Sequence, residues 1–360
     1  MKYVLITVAL AAAASVAATA ALAQSGGVAA AVSGYSFEDA AKESPDTKNF
    51  HSNDGVLTFA IVTHTAGNGF FDPVYVGAQV AGNLIGAKIL LLGSESPADD
   101  PAREIEILNQ IIQDPSIDGL IMTTPQVGAY DDIVKTAMAN GIPVATTNSF
   151  DPGIENRLGI SHTGQQATAA AIAGDALAKC LVERGITGGS VIFVNDTAMG
   201  NIEVNNRATS AYNATVAGLK AAGVLDNFKV DAGPENVGIQ ADLNDPVNSV
   251  VSILESRGDV VGAFAPNNVF TPGLFKAVAQ TGMTDKICAY GFDLGPPNLE
   301  AIRTGDLTGA LGQQPFIQGF WPVMQLYLQI DRGISAANVD TQAQLVTKDN
   351  VDSVGKRFEN

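Results

Sequence analysis

Cysteine occurs only twice in this 360-residue chain, tryptophan once and histidine three times. Cys180 and Cys288 have no partners at metal-ligand spacing, which excludes a zinc site built on thiolates. Their pairing stays open: a disulfide and two buried free thiols both suit two cysteines this far apart. Positive charge is also scarce, with 20 Lys and Arg against 37 Asp and Glu and a formal net charge of −17. Such a field repels phosphate backbones and excludes nucleic-acid partners. No G-x-S-x-G elbow and no glycine-rich phosphate loop follows a strand-like run, so the common hydrolase and nucleotide-binding layouts are missing. Beyond the N-terminus no stretch reaches the roughly 18 uninterrupted apolar residues that a spanning helix needs.

What is present begins with a short basic end at Lys2 and an Ala-rich apolar run. Ala21-Leu22-Ala23 then matches a small-x-small cleavage signature before Gln24. This predicts a cleavable secretory signal peptide over 1–23, in preference to an uncleaved membrane helix. No cysteine follows the cleavage site, so a lipid anchor there is not expected. Loss of Lys2 with the signal takes the charge from −17 to −18. Residues 24–56 are rich in Ala, Gly and Ser without a sustained period, and read as a flexible leader.

From Leu57 onward the pattern alternates. Buried-strand runs LTFAIVT (57–63), KILLLGS (88–94), IDGLIMT (117–123) and IPVATT (142–147) are separated by helical spacings. Asp72-Pro73 supplies a cap and a first-turn proline for the first of these helices, and Pro101 opens the second. After a helix over 165–184 the pattern restarts with SVIFVND (190–196), a short strand near 228–231, VVGAFAP (260–266) and KICAYGFD (286–293), each followed by a predicted helix. Near-continuous apolar strands alternating with helices imply parallel sheets covered on both faces. The fold class is therefore α/β, with two doubly wound lobes in series and a cleft between them. Ligands in such sheets sit beyond the carboxyl ends of the strands.

Those ends carry His64, Asn68, Phe70 and Phe71 after the first strand, Thr124 and Gln126 after the third, and Asn148-Ser149 after the fourth. In the second unit they carry Asn195-Asp196, Asn267-Asn268 and Phe292-Asp293. Amides, hydroxyls and carboxylates exchange hydrogen bonds with ligand hydroxyls, and aromatic faces pack against the C–H faces of a sugar ring. Taken singly, Asn or Asp after a strand is more often a helix cap, as expected for Asp72, and one of two adjacent phenylalanines belongs to the core. Their recurrence at the same end of successive strands favours a site for a neutral polyol. A metal held by His64 and His162 is rejected because no third ligand has suitable spacing.

The segments FAIVTHTAGNGFFDPVYVGAQ, DGLIMTTPQ with NGIPVATTNS, AFAPNN, and GFDLGPP…GQQPFIQG occur in an order and spacing that resembles the periplasmic sugar-binding proteins of ABC importers, the group typified by ribose-binding protein. The resemblance covers about residues 57–348. It implies two lobes, 57–163 plus 314–341 and 164–313 plus 342–360, joined by crossings near 161–165, 311–315 and 340–345. It carries ligand contacts onto His64, Asn68, Phe70, Phe71, Asn148, Asn267, Asp293 and Gln313. Thr124 and Gln126 stand where a further contact is expected, and Arg207 lies within a residue or two of the family's arginine. Asn148-Ser149 replaces the Asp-Arg of ribose binders, and His64 replaces a small hydroxyl residue. These changes point away from ribose toward another pentose, a hexose or a sugar alcohol.

The resemblance implies a monomeric, periplasmic protein that closes on its ligand and docks on a membrane permease, with no cofactor and no turnover. Three rivals stand beside it, and the sequence disfavours only the first two. An exported enzyme would use His64 and Asp293 as an acid–base pair, but nothing supplies a nucleophile. A transcription regulator lacks its helix-turn-helix. A sugar sensor for a chemoreceptor or histidine kinase shares the same binding core.

Overall fold

The computed structural model describes residues 55–96 and 99–355. The expected signal peptide lies outside the described residues, as does the expected leader up to residue 54. The first unit runs β1 (Thr58–Thr63), α1 (Asp72–Ile85), β2 (Lys88–Gly93), α2 (Pro101–Ile111), β3 (Gly119–Met122), α3 (Asp131–Ala139), β4 (Val144–Thr147), α4 (Pro152–Leu158) and β5 (Ser161–Gly164). The second runs α5 (Ala171–Glu183), β6 (Gly189–Asn195), α6 (Ile202–Ala221), β7 (Phe228–Asp231), β8 (Ile239–Gln240), α7 (Pro246–Arg257), β9 (Val260–Phe264), α8 (Phe270–Gln280), β10 (Cys288–Phe292), α9 (Pro296–Thr304) and β11 (Gly309–Gly312). The chain then forms α10 (Pro315–Arg332), β12 (Val339–Asp340), β13 (Gln344–Thr347) and α11 (Val351–Gly355).

These strands make two sheets. The first has the order β12-β5-β4-β3-β1-β2, and every pairing in it is parallel. The second has the order β13-β11-β10-β9-β6-β7, with β8 paired to β6 off that path and β13 the one antiparallel strand. Successive side chains of a strand point to opposite faces. Phe59 and Ile61 accordingly enter the core beneath α1 and α10, while Ala60 and Val62 enter the core beneath α2 and α3. In the second sheet Val191 and Phe193 face the α5 side, and Ile192 and Val194 face the α7–α8 side. This double-sided burial is why the strands read as unbroken apolar runs.

The helix α10 starts after β11 of the second sheet and packs on the first. Val323, Leu326 and Tyr327 complete the core around Phe59 and Ile61. Two glycines allow the approach: a Cβ on Gly77 would lie 2.0 Å from the Phe316 carbonyl oxygen, and one on Gly319 would lie 1.7 Å from that of Val74. The chain thus passes between the sheets three times, after β5, after β11 and after β12. Hydrogen bonds knit the passages together. Thr341 N donates to Gly164 O at 3.0 Å, and Thr341 Oγ1 donates to Gln313 O at 2.9 Å.

The cysteine question is decided in favour of a disulfide, Cys180–Cys288, which ties α5 to β10. Six short elements are absent from the sequence reading: α4, α11, β5, β8, β12 and β13. The helix expected over 165–184 begins as a short 3-10 turn at Ala167–Ala170 before α5. Asp72 is the first residue of α1 rather than its cap; the cap position is Phe71, with no side-chain hydrogen bond.

Candidate functional site

A cavity between the two sheets is lined by His64, Thr65, Asn68, Phe70, Phe71, Asp99, Asn148 and Ser149 from the first, and by Asn195, Asp196, Asn201, Glu203, Val204, Arg207, Leu243, Asn267, Asn268, Val269, Phe270 and Asp293 from the second. Gln313, at the second passage, completes the lining. It lies at the carboxyl ends of β1, β4, β6, β9 and β10, as an open parallel sheet dictates.

The segment joining Asp293 to Gln313 forms one part of the wall. Gln313 Nε2 donates to Asp293 Oδ1 at 2.5 Å, so two residues twenty positions apart meet in one place. Asp293 adopts φ 72°, a left-handed conformation that non-glycine residues seldom take. Its backbone is pinned there, with its N–H on Leu311 O at 2.7 Å and its carbonyl accepting from Asn298 Nδ2 at 2.9 Å. Asp293 therefore does not cap α9, whose cap position is Gly295. Asn148 (φ 59°) and Gln314 (φ 57°) share this backbone state, so three left-handed residues lie at or beside the wall. Burial raises the carboxyl of Asp293 above the ordinary range, against the pull of Arg207 and Gln313.

Arg207 comes from α6 and is buried. Its Nη2 donates to Gln313 Oε1 at 3.1 Å and its Nη1 reaches Pro266 O at 3.5 Å. The guanidinium carbon sits 4.2 Å above the centre of the Phe292 ring, a cation–π contact. Asn148 Nδ2 donates to Gln318 Oε1 at 3.0 Å, and Gln318 Nε2 to Gln313 O at 2.9 Å, so the passages and the cavity share one amide network.

On the opposite wall Phe71 is buried in the core with Phe59 and Tyr75, while Phe70 is half-buried and stands edge-on to it at 5.2 Å between centroids. His64 donates and accepts along a buried chain. Its N–H and its Nδ1 both meet Thr123 Oγ1, at 3.0 and 2.8 Å, and that hydroxyl in turn donates to Glu104 Oε1. Tyr130 OH donates to the other Glu104 oxygen at 2.7 Å. His64 Nε2 faces Asp99 Oδ1 at 3.4 Å. With the Thr123 proton committed to Glu104, Nδ1 is a donor, and Asp99 draws a second proton to Nε2. Burial alone would lower the pKa of His64, but the charge and hydrogen bond of Asp99 together with the charge of Glu104 outweigh it and the net shift is upward. Burial likewise opposes ionisation of Asp99, yet His64 and Asn201 hold its carboxyl below the ordinary range. Glu104, fully enclosed, is pushed up to about 7 by burial.

Several bonds span the cleft. Asn68 and Asn268 exchange a reciprocal pair of amide hydrogen bonds. Asn201, which caps α6, accepts from Ser149 Oγ at 2.9 Å and donates to Asp99 Oδ2 at 2.7 Å. Ile202 N donates to Pro125 O at 3.0 Å. The two sheets are held in a closed arrangement.

Of the residues singled out from sequence, His64, Asn68, Phe70, Phe71, Asn148, Arg207, Asn267, Asp293 and Gln313 meet in this cavity. Asn267 also accepts from Val269 N and Phe270 N just before α8, whose cap position is Val269. Thr124 and Gln126 are not brought there. Thr124 is buried and accepts from Asp151 N at 3.0 Å. Pro125 turns the chain so that its carbonyl, not a side chain, faces the other sheet. The imagined His64–Asp293 pair does not form either, since His64 engages Asp99 and Thr123 while Asp293 engages Gln313. Sequence reasoning missed Asp99, Asn201 and Glu203, all acidic or amide residues at helix starts or in loops, where capping is the ordinary reading. No cluster of three or more metal-ligating side chains occurs among the described residues.

Residues 59–334 match the family described as periplasmic binding protein domain. Over 302 residues the chain is 24% identical to the xylose/arabinose-binding protein of Sulfolobus acidocaldarius, covering 81% of this chain and 71% of the relative. It is 27% identical over 266 residues to the ribose import binding protein of Haemophilus influenzae, covering 73% and 82%. Among solved structures, a carbohydrate transporter solute-binding protein of Agrobacterium radiobacter in complex with D-arabinose superposes with a TM-score of 0.70 at 23% identity, covering 85% of this chain and 99% of that one. The match runs from β1 through α10, across both sheets and the first two passages between them, and on it this chain belongs to the periplasmic binding protein family, with the type I arrangement of two parallel-sheet lobes.

Proposed function

We propose that this protein captures a small neutral sugar or sugar alcohol between its lobes and delivers it to an ABC-type membrane permease. The observation that carries the reading is the cavity wall. Asp293, Arg207, Asn267, Gln313 and Asn148 present donors and acceptors from both sides, opposite the half-buried ring of Phe70. A polyol needs that mixture of hydroxyl partners and an apolar face. The relatives named for ribose, xylose and arabinose support a pentose as the first candidate. Asn148-Ser149 and the His64–Asp99 pair make the first-lobe wall unlike a ribose site.

The lobes, 57–163 with 314–341 and 164–313 with 342–360, move about the three passages. Ligand favours closure because only the closed arrangement offers both walls at once. Phe70 stacks on the ring, while Asp293 and Asn267 bind hydroxyls from the second lobe and Gln313 does so from the passage. The protein acts as a monomer in the periplasm after losing residues 1–23, binds without a cofactor and performs no turnover. A thermal-shift screen of pentoses, hexoses, sugar alcohols and amino acids tests this. A cognate sugar raises the melting midpoint, by more at a given concentration the tighter it binds. Absence of a shift with every sugar and polyol overturns the reading.

A further inference from the structure

The roles just given leave Glu203 unused. It is the second residue of α6, with 2% of its surface exposed, and it is one of the residues that line the cavity. An acid in the first turn of a helix usually faces water, where the helix dipole favours it. This one is enclosed, and its Oε1 has no hydrogen-bond partner. The neighbouring Nε of Arg207 is equally buried and equally unpartnered. The two atoms stand 3.7 Å apart, too far for a hydrogen bond. The guanidinium cannot swing to close the gap without leaving Gln313, Pro266 O and the Phe292 face.

A donor and an acceptor held at this separation have a specific complement. One hydroxyl oxygen at about 2.8 Å from each would donate its proton to the carboxylate and accept from the guanidinium N–H. A ligand carboxylate would satisfy Arg207 but meet the charge of Glu203. An ammonium would do the reverse. A methylene would leave both groups buried and unpaired, which costs more than a hydrogen bond gains. We propose that Glu203 and Arg207 form a subsite that reads one hydroxyl of the ligand, making Glu203 a specificity-determining residue that selects neutral sugars over deoxy, acidic and amino analogues. The proposal rests on the sugar-binding reading and deepens it.

The test is isothermal calorimetry on the full chain with D-ribose, D-xylose and D- and L-arabinose. For whichever binds, it adds each monodeoxy analogue, the matching aldonate and the matching amino sugar. One monodeoxy analogue is expected to bind at least ~10-fold more weakly than its parent, the loss expected for a hydrogen bond to a charged group. Glu203→Ala should weaken the parent by a similar factor and erase the discrimination against that one analogue alone. Glu203→Gln, which keeps an acceptor, should retain part of it. A merely structural role would weaken all ligands alike. If the Ala variant fails to fold, the Gln variant and the wild-type analogue series decide the matter. Equal affinity for the parent sugar in wild type and variants, or uniform weakening across the series, overturns the subsite and leaves the binding reading standing. Failure of the wild type to bind any of these sugars overturns both.

Discussion

The two lobes have the same layered plan but serve the cavity differently. The first contributes an aromatic edge, Phe70 against Phe71, and a buried relay from Tyr130 and Glu104 through Thr123 and His64 to Asp99. The second contributes two carboxylates, a guanidinium and an amide, from Asp293, Glu203, Arg207 and Asn267. They also differ in how they are braced. The first sheet is wholly parallel and is sealed by α10, which returns from the other lobe onto α1 through paired glycines. The second closes one edge with the antiparallel β13 and locks α5 to β10 by a disulfide. The first lobe takes α10 across a passage to complete its core, whereas the second takes β13 and the short α11 that way and adds a disulfide of its own. Closure of the cleft and integrity of the first lobe are therefore coupled through the same residues, 313–341.

The largest expected effect separates brace from site. Replacing Cys180 and Cys288 together by Ala releases a loop of sequence separation 108, worth about 5 kcal/mol in the chain-entropy account. Calorimetric unfolding should show a lower midpoint, while affinity for the cognate sugar stays within about 2-fold. Cys288 opens β10 at the end away from Asp293, so a large loss of affinity would mean that the brace also shapes the cavity.

The next effect tests the division of labour across the cavity. Asp293→Ala removes a buried acceptor and strands its Gln313 and Arg207 partners, so binding should weaken by about 2–5 kcal/mol, a ~30-fold or greater loss. Phe70→Ala should weaken it less, since it removes apolar contact without stranding a polar group. Titration calorimetry that ranks Phe70→Ala above Asp293→Ala would reverse the roles given to the two walls.

The smallest effect is the pH response of the first lobe. Glu104 holds its proton up to about 7 in the folded chain, above the carboxylate's ordinary value, and His64 is also shifted upward. The folded state therefore binds more protons than the unfolded one in this range, and stability falls as pH rises from about 4.5 through 7. Carboxylates held low, such as Asp151 and Asp231, act below that window, where their contribution is lost as pH falls. Glu104→Gln should flatten the decline in melting midpoint between pH 5 and 8. An unchanged slope would assign the pH response to other groups, Glu203 first, which burial also pushes up to about 7.

The amino-acid sequence by itself determined the alternation of strand and helix, because burial on both faces writes itself as apolar runs such as LTFAIVT and SVIFVND. It also located the strand ends, and with them cavity-lining side chains such as His64, Asn68, Asn148, Asn267 and Asp293, while Arg207 and Gln313 were reached through the family resemblance. It marked the Asp293–Gln313 step, since the elements between them are local. Elements of two to five residues escaped it, as β8, β12 and α11 are too short to show a period. α10 went unnamed as a helix, with Gly319 and Pro322 inside it; those residues make sense only against α1. Tertiary structure alone decided that Cys180 meets Cys288, that Thr124 turns inward to Asp151, and that Glu203 stands 3.7 Å from Arg207 without a hydrogen bond between them. Periodicity reports which side of an element is buried. Which buried groups find partners depends on atoms brought together from distant parts of the chain.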